Sequence, residues 1–195
     1  GLFTPFFFDD DLQIVSNPLI HSLANVPYFF LGGTFFDAGS GQIIGIYYKP
    51  ILSTIFALLY TLFGAHAFPF HLFQLFLHIT NAILVYILFQ KFFKDALSLL
   101  LALIFLVHTI NQEAVVYISD LQEPLFFFFG IVAVIFAMKN SKSLVNIFLI
   151  NLFLFFGMLS KETAILFIPV LFLYRYLFNK KYFSKAYAFS IFATT

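Results

Sequence analysis

The chain has 195 residues, of which 62% are apolar and only 10% charged, with a formal net charge of +1 and no cysteine. Soluble domains average about 25% charged residues, so a water-soluble globule is excluded, as are disulfides and thiolate metal sites. No basic run interleaved with aromatics points to nucleic acid, and no alternating pattern points to a membrane β-barrel. The composition predicts an all-α polytopic transmembrane helical bundle, whose first partner is the lipid bilayer.

Residues 1–49 mix acids, aromatics and turn residues. Asp9–Asp11, Asn17-Pro18, Gly32-Gly33 and the stretch Asp37–Gly41 mark loops. Asn17 and Pro18 suit an N-cap and first helical position, predicting a short helix through Leu23. Tyr28-Phe29-Phe30 and Tyr47-Tyr48 are aromatics of the membrane-interface kind. The region reads as a long external first loop carrying short interfacial helices.

The apolar run over 50–63 would reach only about 21 Å at about 1.5 Å per residue, which favours an interfacial or re-entrant helix over a span. Spans are expected over 68–93, 96–108, 110–138, 144–159 and 163–178. Thr109 and Gln112 form a capping-box pair for the third of them. The start of a truncated span is expected over 186–195. Gly1 in place of an initiator Met and the open apolar end predict a fragment of a longer chain, read as one catalytic transmembrane domain over 1–195.

Loop charges then sort by side. Lys91, Lys94, Lys139, Lys142, Arg175, Lys180, Lys181 and Lys185 fall together, on the side the positive-inside rule makes cytoplasmic. Among the acids only Asp95 joins them. Asp9, Asp10, Asp11, Asp37, Glu113, Asp120, Glu123 and Glu162 collect outside, with Lys49, Lys161 and His108. On a continuous helix after Thr109, Glu113, Tyr117 and Asp120 would share a stripe about 40° wide. Acids with two isolated cations at the mouth of a helical bundle suit transfer from a lipid-linked phosphate donor. A carboxylate whose pKa is raised by a neighbouring acid can take the proton of an attacking hydroxyl. A Lys can neutralise the departing phosphate.

The runs FFFDDDLQIVSNP, YYKPILSTIFALLYTLFG, FHLFQLFLHITNAILVYIL, VHTINQEAVVYI and LSKET occur in that order. As an ordered set, the chain resembles the GT-C fold glycosyltransferases, specifically bacterial relatives of the tetratricopeptide-containing protein O-mannosyltransferases. The resemblance implies an external acidic pair, matched by Asp9 and Asp10 after Phe6-Phe7-Phe8. One of them would be the catalytic base, Asp10 being slightly preferred. The family's Tyr-Arg-Pro is Tyr48-Lys49-Pro50 here, so Lys49 inherits the phosphate role without the two-pronged grip of Arg. His108-Thr109 replaces His-Pro, Glu113 is retained, and Leu121 stands where an Arg is common. The substrate-binding set is therefore Lys49, His108, Glu113, Lys161 and Glu162. The implied activity is inverting transfer of a hexose, mannose being one candidate, from a polyprenyl-phosphate sugar donor to a hydroxyl of an exported protein or glycan acceptor. The implied place is the bacterial cytoplasmic membrane, multi-pass, with the acidic loop outside.

Plainer accounts stand beside each of these. Asp9–Asp11 could be a solvated loop, or hard oxygen ligands for a divalent cation, Mg²⁺ or Mn²⁺. Consecutive residues point apart, so at most two would ligate one ion, and no residue is assigned to a metal. Glu113 suits the first turn of a helix by charge alone. Lys161-Glu162 could be a surface pair, and His108 merely interfacial. His71 and His78 suit packing or interhelical hydrogen bonds, and Asn81, Asn146 and Asn151 suit interhelical contacts. The rival function is a polytopic transporter with an acid-lined cation or proton pathway, which would need ionisable groups near mid-bilayer.

Overall fold

The computed structural model describes residues 2–37, 42–44, 47–139 and 143–178, with 35–37 and 42–44 described by backbone alone. The stretch 186–195 lies outside them, as do Lys142, Lys180, Lys181 and Lys185. The described chain is helical, with one small exception: strands β1 (Phe35–Asp37) and β2 (Gln42–Ile44) pair antiparallel. The helices are α1 (Val26–Phe29), α2 (Pro50–Phe63), α3 (Ala67–Phe89), α4 (Asp95–Val107), α5 (Gln112–Val116), α6 (Gln122–Met138), α7 (Leu144–Ser160) and α8 (Phe167–Phe178).

Local chemistry sets several of these bounds. Pro50 occupies the first turn of α2, where its missing N–H costs nothing, and Gly64 ends the helix at φ +65°, a conformation that favours glycine. On α7, Asn146, Ile150, Leu154 and Gly157 recur at steps of four, four and three, which places them on one buried stripe. The helix expected from Asn17 to Leu23 is instead a turn, in which the Asn17 side chain accepts the Leu19 N–H at 3.1 Å. That local bond competes with continued helix, as Asn side chains do after a loop. The α-helical turn comes later, at α1.

The larger departure lies over 110–138. One continuous helix was expected there; the backbone instead makes a 3₁₀ turn (Thr109–Asn111), then α5, then an extended residue at Tyr117 (φ −92°, ψ 113°), a second 3₁₀ turn (Ile118–Leu121) and α6. Val115, Val116 and Ile118 flank the break, and β-branched residues give up side-chain freedom in a helix. The stripe of Glu113, Tyr117 and Asp120 therefore does not form, and Pro124 sits unremarkably in the first turn of α6.

Among the described residues, two helical runs are long and apolar enough to cross a bilayer, Ala67–Phe89 with 23 residues and Ile118–Met138 with 21. Asp95–Val107 followed by Thr109–Val116 makes a third if the pair, bent by 45°, counts as one. α7, with 17 residues, extends about 26 Å at the helical rise, short of a hydrocarbon core of about 30 Å.

The chain divides into two compact units, one of Gly1–Ile79 with Leu106–Leu125, the other of Thr80–Phe105 with Phe126–Thr195. In the first, α2 packs against α1 and the turn Leu23–Asn25, burying Leu52, Phe56, Ala57 and Leu59. In the second, Ala133, Val134, Ala137, Ile150, Leu154 and Leu171 form a buried core. Asn146 donates from α7 to the Phe136 carbonyl at 3.2 Å, an interhelical bond of the kind expected, whereas Asn151 turns back to Ile147 of its own helix.

Candidate functional site

The first unit brings the acidic triplet onto the broken segment. Phe7 to Asp10 is a tight turn: the Asp10 N–H donates to the Phe7 carbonyl at 3.1 Å, and the Asp10 Oδ2 accepts the Phe7 N–H at 3.3 Å. Phe8 holds φ at +49°, a left-handed conformation that is uphill for a bulky residue and marks a constrained turn. The turn separates the two acids. Asp9 is exposed, whereas Asp10 is wholly buried.

Ser119 receives the buried acid. Its N–H donates to Asp10 Oδ1 at 2.8 Å and its hydroxyl donates to the same oxygen at 2.6 Å, a short bond of the charge-assisted kind. Burial lifts the Asp10 carboxyl above its ordinary value, opposed first by the Ser119 hydroxyl, then by the N–H groups of Phe7 and Ser119, and last by the nearby His71. Tyr117 holds Asp9 from the other side: the Asp9 N–H donates to its hydroxyl at 3.0 Å, and its ring lies 5.1 Å from that of Phe7.

The break at Tyr117 is itself satisfied. Extended backbone frees carbonyls that a helix would have used, and Gln74 of α3 donates to those of Ala114 at 2.7 Å and Tyr117 at 2.8 Å. His71, one turn earlier on α3, contacts the Thr4 carbonyl at 3.1 Å; since a carbonyl only accepts, Nε2 is the protonated nitrogen. His78 reaches the Leu106 carbonyl at 3.0 Å in the same way. Both histidines thus make interhelical or tethering bonds.

Glu113 is exposed on α5, and its carbonyl accepts the Tyr117 N–H at 2.9 Å, so one residue separates it from the Asp9 contact. His108 is exposed and caps the Thr109–Asn111 turn, its Nδ1 accepting the Ile110 N–H at 3.1 Å. That bond replaces the capping box expected from Thr109 and Gln112. A groove of about 490 Å³ beside it is lined by His78, His108, Gln112, Val115 and Val116 among others. Lys49 is half-buried ahead of α2, its Nζ 4.5 Å from the centre of the Tyr47 ring. The second unit holds Lys161, half-buried with Nζ 5.7 Å from the centre of the Phe126 ring, and Glu162, exposed at the start of the turn Glu162–Leu166.

Asp9 and Asp10 are therefore gathered around Tyr117 and Ser119, while Glu113 is tied to Tyr117 through its backbone carbonyl alone. Ser119 and Gln74, which hold that arrangement, were not foreseen. A buried Ser has no sequence signature, and Gln74 lies in an apolar run that reads as an ordinary span. Among the described residues, no three His, Asp or Glu side chains are grouped to hold a metal ion. Asp10 Oδ1 is already committed to Ser119, and Asp11 Oδ2 accepts the Ser16 hydroxyl at 2.9 Å.

A protein-family model described as dolichyl-phosphate-mannose-protein mannosyltransferase matches residues 49–194. The chain belongs to that family. The matched stretch contains Lys49, His108, Glu113, Lys161 and Glu162, while Asp9 and Asp10 precede it. A protein O-mannosyl-transferase of Caenorhabditis elegans is 27% identical over 171 residues, covering 85% of this chain and 24% of the relative. The chain thus spans about a quarter of that relative's length. No solved structure matches it. The membership accords with the GT-C resemblance and, with the apolar helices, makes this an integral membrane protein.

Proposed function

We propose that the chain is the catalytic part of a membrane mannosyltransferase that takes its sugar from a polyprenyl-phosphate donor, with Asp9 as the general base. The observation that carries this reading is the split environment of the acidic pair: an exposed Asp9 beside an Asp10 buried and bonded to Ser119. In the proposed step, an acceptor hydroxyl attacks the anomeric carbon from the face opposite the phosphate. A new carbon–oxygen bond forms, the bond to the phosphate oxygen breaks with its electron pair leaving on the phosphate, and the hydroxyl proton passes to Asp9. The sugar is inverted. Asp10 acts as a positioning residue, which revises the order of preference drawn from sequence.

Lys49 is the proposed phosphate partner in this unit, acting as a point charge. Glu113, within a helical turn of Tyr117, is the proposed partner of the acceptor. Lys161, with Glu162 beside it, remains a second phosphate partner on chemical grounds alone. The acceptor class is a Ser or Thr hydroxyl of an exported protein or a glycan hydroxyl, and the reaction faces the outside of a bacterial cytoplasmic membrane. The donor sets of Asp10 and Asp11 do not fit a closed Mg²⁺ or Mn²⁺ site, so no step runs through a cation.

The test is transfer of labelled mannose from polyprenyl-phosphate mannose to a Ser/Thr peptide by the full-length protein in liposomes. Asp9→Asn is expected to lower transfer by about a hundredfold or more while leaving membrane insertion intact. Undiminished transfer by this variant would overturn the assignment.

A further inference from the structure

We propose that Ser119 is a positioning residue for the transfer reaction, latching Asp10 so that the strained turn at Phe8 presents Asp9 outward. The inference rests on the function proposed above and adds a residue to its machinery. The two ends of the latch are 109 residues apart in sequence, yet both donors of Ser119 converge on one oxygen of Asp10. Ser119 is itself buried, with 3% of its surface exposed, so no substrate touches it. Its effect must therefore pass through Asp10.

The geometry shows why such a latch is needed. A phenylalanine at φ +49° does not rest there unaided; the surrounding contacts must hold it. The bonds between Phe7 and Asp10 close the turn, but they belong to the turn and would move with it. Ser119 is what fixes the turn to a separate element. That element is anchored in turn, because Gln74 holds the Ala114 and Tyr117 carbonyls just ahead of it. Tyr117 adds a second attachment at the Asp9 N–H. Removing the Ser119 hydroxyl leaves Asp10 Oδ1 with the Ser119 N–H alone. The turn can then relax, and Asp9 leaves the orientation in which it meets the acceptor.

Full-length protein in liposomes, supplied with polyprenyl-phosphate mannose and a Ser/Thr peptide, tests this with Ser119→Ala, Asp10→Ala and the double variant. Misplacing a reacting group by about 1 Å can cost about a hundredfold, so Ser119→Ala is expected to lower kcat by at least about tenfold, with KM for both substrates within about twofold. Because both substitutions open the same latch, the double variant should fall no lower than Asp10→Ala alone. Unchanged kcat in Ser119→Ala, or losses that multiply in the double variant, would overturn the latch.

A second readout separates this proposal from the functional one. Carbodiimide with glycine ethyl ester converts accessible carboxyls to amides, and peptide mass spectrometry locates them. Ser119→Ala should raise labelling of Asp10 severalfold while Asp11 is unchanged. Equal labelling of Asp10 in both proteins would reject the latch even if the wild type transfers no mannose. Wild-type protein that transfers none, with Asp10 labelling raised as expected, would reject the function and leave the latch standing.

Discussion

Helix α7 and the segment from Thr109 to Leu121 part company in one respect: the first is a plain helix, whereas the second breaks at Tyr117. α7 runs unbroken from Leu144 to Ser160, and the buried stripe from Asn146 to Gly157 follows the helical period. The Thr109–Leu121 segment gives up helical bonds at Tyr117 and regains them from outside, through Gln74 on one side and Asp10 on the other. The difference lies less in the segment's own residues than in what distant residues offer it. A helix interrupted in an apolar setting must have its freed polar groups met, and the groups that meet them become fixed in space. In this molecule the fixed groups include the acid beside the proposed base.

The comparison can be broken most sharply in the second unit, where packing rather than hydrogen bonding sets the limit. A Cβ built on Gly130 of α6 would run into the ring of Phe167. That ring is boxed by Phe126 and Phe127, at centroid distances of 6.3 and 6.2 Å, and has little room to turn aside. Gly130→Val is expected to destabilise the protein by about 3 kcal/mol, the upper end for overpacking a core. Unfolding of the full-length protein in mixed micelles measures this. A variant as stable as wild type would mean that the core around Phe167 yields more readily than its packing suggests.

In the first unit the matching test is Gln74→Leu, which keeps volume but withdraws the donor shared by two carbonyls. The Ala114 carbonyl would be left unmet, while that of Tyr117 keeps the Asp120 N–H at 3.1 Å; the substitution also removes the buried Gln74 Oε1, which has no partner among the described residues. The net loss is expected to be about 2 kcal/mol by the same measurement. It should come with faster hydrogen exchange at Tyr117 and Ser119. Exchange unchanged at those two amides would show that the break stands without Gln74.

Much of the architecture was legible from residues alone, because hydrophobic runs and their punctuation act locally. Pro50 and Gly64 bound α2 as expected, α4 is shifted by one residue at each end of its expected range, and α7 extends one residue beyond its own. The break at Tyr117 was illegible in the same text. Val115, Val116 and Ile118 only weaken a helix, and the deciding partners lie about forty residues earlier on α3 and more than a hundred earlier in the loop. For the site, residue types pointed to the acidic pair, and the family supplied the context. Which acid is buried could not be read, since adjacent aspartates differ only through the turn at Phe8 and the presence of Ser119. The proposal that Asp9 is the base rests on that difference in burial.

The smallest expected effect, a trend with pH, isolates that buried acid. In the unfolded chain Asp10 loses its proton near its ordinary value of about 3.9, whereas burial holds the folded-state value higher. Between the two values the folded state binds more protons than the unfolded one, so stability falls as pH rises through that window. The favourable contribution is complete below the unfolded value and lost once pH passes the folded one. Asp10→Asn cannot titrate, and its amide oxygen can still accept both Ser119 donors. His71 is present in both proteins, and only the part of its titration that depends on the Asp10 charge enters their difference. The stability of wild type relative to Asp10→Asn should therefore decline as pH is raised from about 3 and level off above the folded-state value. Unfolding midpoints in detergent across that range read it directly. A rising difference would mean that the bonds from Ser119 and Phe7 outweigh burial. A falling one means that ionising Asp10 weakens the folded protein, which is the expected mark of a residue retained for its place beside Asp9 rather than for stability.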